Sequence, residues 1–180
     1  MRSLISDTFW ASLAYVVASI LTFEVLMPLQ NAFFPEFASR ASLLFLPHGV
    51  RVLAAWLMGW RAVIALLPGV FIVFAYLGGA DVFLPSRLQS IFVAVVSAPA
   101  VFHVLKVLGW DLFPRPDRAP CWACVMVAGV LSSILLSVTT NMAFGSEPSA
   151  YFAFLIGDTF GLLFLMLGLF YAFRFMRSAN

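Results

Sequence analysis

The stretch Leu43–Trp60, LLFLPHGVRVLAAWLMGW, is apolar enough to lie in lipid, yet it carries His48 and Arg51 with no acid beside them. An arginine left alone in a bilayer costs roughly 2.5–3.5 kcal/mol on insertion scales unless a partner or water relieves it. The rest of the chain therefore has to supply a counter-charge at the same depth. Glu24 and Asp158 are the only acids set inside long apolar runs. The stretch thus predicts a polytopic membrane protein with a buried polar cluster.

Composition removes the alternatives. Of 180 residues, 63% are hydrophobic and only 10% charged, and the mean hydropathy is +1.04. A soluble domain with so few polar residues would have to cover its own exterior with apolar side chains. A spanning helix needs about 20 apolar residues, so this length allows about six spans with short loops and no separate soluble domain. The expected fold is an all-α, single-domain transmembrane bundle over residues 1–180, with helices at about 9–29, 43–60, 62–77, 88–108, 121–144 and 151–173. A net charge of +2 with no basic run gives no footing for nucleic acid. The N-terminal MRSLISDTFW has no cleavage pattern, so the first apolar run is expected to stay as a helix.

Between the spans lie a polar-aromatic stretch (QNAFFPEFASRA), the turn Gly59–Arg61, the loop GGADVFLPSR, the polar loop GWDLFPRPDRAP and the turn GSEPSA. Six crossings place Arg2, Arg61, Lys106, Arg115, Arg118, Arg174 and Arg177 on one side, and Arg40 and Arg87 on the other. That asymmetry points both termini to the cytoplasm, and Trp10, Trp60, Trp110 and Trp122 fall at the same interface as an aromatic belt would. The expected location is a bacterial inner membrane, with the lipid bilayer itself as the first partner.

Depth then sorts the buried polar groups. Arg51 and Asp158 each lie eight or so residues into helices entering from the outside, about 12 Å deep. Glu24, His48 and Asn141 fall in the same outer half. These five form the candidate ligand-binding cluster, with Arg51 expected to pair with Asp158 or, failing that, Glu24. One reading is structural, the charges pinning helices together. The other is a pocket open to the periplasm, because intramembrane ionisable groups mark functional sites and the break expected at Pro47-His48-Gly49 would line a cavity. His103 and Lys106 fall near the opposite end, where lysine reaches water. Cys121 and Cys124 form a CxxC with no second half to complete a metal site. Neither a metal nor a cofactor is expected, and the pair is read as carrying no function.

The motifs point further. Phe45–Phe74, FLPHGVRVLAAWLMGWRAVIALLPGVFIVF, resembles the hallmark stretch of the first family of bacterial membrane-associated sensor (MASE-type) domains. There a W-P-P-A-G-I-like turn leads into a small-residue helix, a G-R-R-like loop and a P-G-I/V-F motif. Ile156–Leu165, IGDTFGLLFL, is similar to that family's late G-D-x-x-G-x-L motif. Pro47, Gly49, Gly69, Asp158 and Gly161 stand at the characteristic positions. The resemblance implies an integral sensory module, here shortened, that signals to a cytoplasmic protein such as a cyclase, kinase or phosphodiesterase. His48 and Arg51 depart from it, standing where the family is apolar or small. Two other roles compete: a small substrate-binding subunit of an uptake transporter, and a structural subunit of a membrane complex, its partner another subunit or a second copy of itself. No nucleophile–base pair, metal-ligand cluster or phosphate loop is present in the sequence, so no catalytic residue is assigned and an enzyme is not the expected class.

Overall fold

The computed structural model describes residues 4–33, 42–115, 117, 119–144 and 148–178. Arg2, Arg40 and Arg118 of the arginine count lie outside them. The described chain is helical without strands: α1 (Leu4–Ile20), a wider π-type turn (Leu21–Leu26), α2 (Met27–Phe33), α3 (Leu46–Met58), α4 (Arg61–Gly78), a 3-10 turn (Gly79–Phe83), α5 (Pro85–Val107), α6 (Trp122–Phe144) and α7 (Pro148–Ser178). α1 and α2 join through the π-type turn into a rod of 30 residues, longer than the expected 9–29.

Five rods, Leu4–Phe33, Arg61–Phe83, Pro85–Val107, Trp122–Thr139 and Phe152–Arg177, are long and apolar enough to cross a bilayer, as in a multi-pass membrane protein. The sixth, α3, has only 13 residues. It rises about 20 Å, against a hydrocarbon core of about 30 Å. The break expected at Pro47–Gly49 is the start of this helix instead. Pro47 sits in its first turn, where a missing N–H leaves no bond unmade.

The directions of the helices follow from their cross-links. Asp7 meets Arg61 at 3.4 Å and Tyr76 donates to Glu24 at 3.1 Å, so α1 and α4 run parallel. Phe45 N–H donates to Gly157 O at 2.9 Å and Gly49 lies against Leu162 and Leu165, so α3 and α7 run parallel. α5 follows them, since Arg51 reaches Ala94 and Trp60 packs on His103. α6 opposes α3, with His48 at Gly129 and Trp56 on Trp122. Successive helices therefore alternate in direction, and Leu4 and Ser178 lie toward the same end of the bundle.

α3 is the element the others surround. Residues from Leu46 to Trp56 are buried with the exception of Leu53, while most long apolar side chains of the other rods face outward. Small residues allow the close approach. Gly157 and Gly161 form a GxxxG face on α7, and a Cβ on either would collide with the carbonyl of Ser42 or of Phe45. In α4, Pro68 precedes Gly69, and Ser12 of α1 fills the resulting gap. Its hydroxyl donates to Ala65 O at 2.8 Å and accepts Gly69 N–H at 3.0 Å, bridging a pair that would otherwise bond within the helix. A side chain at Gly69 would strike the Ser12 backbone.

Candidate functional site

α3 places His48 and Arg51 three residues apart, hence on one face. Both are almost fully buried, at 2% and 3% exposure. α7 brings Asp158, at 4% exposure, to the same level. The imidazole holds the centre. His48 Nε2 lies 3.1 Å from Gly129 O, and a carbonyl only accepts, so Nε2 carries the proton. His48 Nδ1 lies 3.3 Å from Asp158 Oδ2 and 3.4 Å from Arg51 Nη2. Asp158 Oδ2 also accepts the Ser133 hydroxyl at 2.6 Å. Arg51 Nη1 donates weakly to Ala94 O at 3.5 Å, its guanidinium stands 5.9 Å over the Phe45 ring, and its Nε has no hydrogen-bond partner among the described residues.

Arg51 and Asp158 carry the cluster to the wall of a cavity of about 340 Å³, in the half of the bundle away from the termini. Tyr15 of α1 and Phe23 of the π-type turn line it, with Ser42, Phe45 and Arg51 around α3. Val73, Phe74 and Leu77 come from α4, Arg87, Ser90 and Ala94 from α5, Leu136 and Ser137 from α6, and Phe154 and Asp158 from α7. The walls are apolar with a few convergent polar groups, the usual makeup of a small-molecule site. Among the described residues, Arg51, Arg87 and Asp158 are the charged groups on its lining. The π-type turn in α1 turns Phe23 into the wall, where it meets Phe45 at 6.0 Å.

The expected residues divide. His48, Arg51 and Asp158 come together. The direct Arg51–Asp158 ion pair does not form. Asp158 has His48 and Ser133 as its neighbours instead, because His48 sits one turn earlier on α3 and reaches α7 first. Glu24 is outside the cluster: it is exposed and bonds Tyr76 on the far side of α1. The backbone of Asn141 belongs to the last turn of α6, and its side chain lies outside the described residues. Ser133, Gly129, Tyr15 and Arg87 were not singled out from sequence. The adjacent serines Ser132 and Ser133 in an apolar helix were the available signal, since hydroxyls in lipid look for partners on neighbouring helices. At the opposite end, Cys121 and Cys124, expected to stay unlinked, are joined by a disulfide. Trp56 Nε1 donates to Leu112 O at 2.7 Å and ties the polar loop to the end of α3.

Comparison with protein-family models, with curated proteins and with solved structures gave no match.

Proposed function

We propose that the chain is a membrane-embedded binding module for a small amphipathic anion, an apolar body ending in a carboxylate or similar group. The observation that carries this reading is Arg51: a buried guanidinium on the cavity wall whose Nε has no partner among the described residues. Its bonds to Ala94 O and His48 are both long. A guanidinium presents five donors in a planar fork suited to an anionic oxygen pair, and here the fork is underused. The apolar walls suit the body of such a ligand.

We place the module in a bacterial inner membrane with both termini cytoplasmic, so that the cavity faces the periplasmic half. The excess of arginine at the terminal end supports this. Occupancy would reach a cytoplasmic partner through α7, which carries Asp158 at the cavity and continues to Arg174 and Arg177 at the other end. The resemblance of Phe45–Phe74 and Ile156–Leu165 to membrane-associated sensor domains supports a sensory role.

The test is thermal unfolding of the purified protein with octanoate, octanol or octylammonium. Octanoate alone is expected to raise the midpoint, and Ala94→Phe, which fills the cavity, is expected to abolish the effect. Equal shifts with all three compounds, or no shift with octanoate, would overturn the reading.

A further inference from the structure

The geometry points to a site that takes up its anion together with a proton, the proton landing on Nδ1 of His48. This rests on the anion-binding reading above and adds the coupling.

His48 Nδ1 has two neighbours at nearly equal distance that demand opposite things. Arg51 Nη2, at 3.4 Å, is a donor and needs a lone pair. Asp158 Oδ2, at 3.3 Å, is an acceptor and needs a proton. One ring nitrogen offers one or the other, never both. Nε2 cannot relieve the conflict, because Gly129 O fixes its proton. With a neutral ring, Nδ1 accepts from Arg51 and faces the carboxylate lone pair to lone pair. With an added proton, Nδ1–H donates to Asp158 and Arg51 loses its side-chain acceptor.

Charge counting then couples the two events. Arg51, Asp158 and a neutral ring sum to zero. The proton raises the buried cluster to +1 at the moment the guanidinium is released. An uncompensated charge in a low-dielectric interior is strongly disfavoured, and an anion beside Arg51 returns the sum to zero. The other elements packed on α3 leave this count unchanged. α1 contributes Tyr15, neutral at ordinary pH, and α6 contributes the Ser133 hydroxyl and Gly129 O. α4 turns apolar residues inward, namely Ala62, Ala65, Leu66, Gly69, Val70 and Val73. α5 offers the Ala94 carbonyl, with Arg87 on the cavity lining as a fixed positive charge.

The sequence holds two histidines, so a His103→Gln chain leaves His48 as the sole imidazole. Its nitrogen resonances are expected to report the Nε2–H tautomer in the unliganded protein at high pH, and protonation at Nδ1 on acidification. An Nδ1–H neutral tautomer would overturn the switch. Calorimetry with octanoate in buffers of different ionisation enthalpy reads the second half. Uptake of about one proton per anion is expected, with affinity falling about tenfold per pH unit where the free ring is neutral. In His48→Gln no proton can be taken up and a bound anion leaves the cluster at −1, so octanoate should bind more weakly, without proton uptake and without the steep pH dependence. Binding with no proton uptake by the unmodified site would overturn the coupling and leave the anion pocket standing. No octanoate binding at any pH would remove the pocket and the coupling with it.

Discussion

His48 lies between Asp158 and Arg51, its Nδ1 3.3 Å from the carboxylate and 3.4 Å from the guanidinium. The two opposite charges of the core are thus linked through an imidazole. Removing one member of a buried pair strands the other, at about 3–5 kcal/mol, while removing both is often close to neutral. Arg51→Leu and Asp158→Leu are each expected to destabilise strongly in equilibrium unfolding, and the double change to recover much of the loss. The link adds a third expectation. In a His48→Leu background the coupling between the two substitutions should shrink, since the group joining them is gone. Coupling of undiminished size there would mean that the charges act on each other directly.

Much of this was legible from residue type and position along the chain. Helix number and order follow from apolar run length, and His48, Arg51 and Asp158 stand out as polar groups in such runs. Depth arithmetic is one-dimensional, however, and that is where the reading of Glu24 went astray. Residues two apart on a helix point about 200° apart. With Thr22 fully buried and Glu24 exposed, level alone could not assign the face. The same limit produced the direct Arg51–Asp158 pair: both charges were placed at one depth, while the side chain reaching α7 first was a turn away. The length of α3 was misread because apolar residues at Leu43–Phe45 continue the pattern, although Phe45 leaves helical geometry to bond Gly157.

The GxxxG face of α7 is expected to be intolerant of a single methyl. Gly161→Ala would drive a Cβ into the Phe45 carbonyl and Gly157→Ala into that of Ser42. Backbone cannot yield as a flexible side chain does, so each should cost about 1–3 kcal/mol or more. Gly168 lies on the same helix with nothing within 4 Å of a Cβ. There Ala is expected to stabilise by about 0.5–1 kcal/mol, the ordinary helical preference. Equal unfolding midpoints for the Gly161→Ala and Gly168→Ala proteins would refute the close packing of α7 on the entry to α3.

Alternating helix direction has a topological consequence. A fusion after Ser178 and an insertion in the turn Gly79–Leu84 should report opposite compartments. On the orientation proposed above, a periplasm-dependent phosphatase is expected to be active in the turn and silent at the C-terminus. A fluorescent protein that matures only in the cytoplasm should give the reverse. Activity of the phosphatase at both positions would mean an even number of crossings among α5, α6 and α7 and would refute the alternation.

The disulfide at the start of α6 contains a helix cap whose contribution can be separated from that of the bridge. Cys121 directly precedes the helix, and its Sγ accepts the Cys124 N–H at 3.3 Å, taking one of the first-turn donors that a helix cannot satisfy internally. The bridge closes a loop with a sequence separation of only 3, so loop entropy limits its contribution to about 2 kcal/mol. A serine hydroxyl accepts the same N–H, and serine is among the preferred residues at this position, worth about 1 kcal/mol over alanine. Cys121→Ser with Cys124→Ser should therefore keep the cap and lose only the bridge, at most about 2 kcal/mol. Cys121→Ala with Cys124→Ala should unfold earlier than the serine pair, by about 1 kcal/mol, because the acceptor is lost as well. Thermal unfolding of the two double variants separates the effects: coincident curves would remove the cap from the account, and collapse of the serine pair would make the bridge itself essential to the fold.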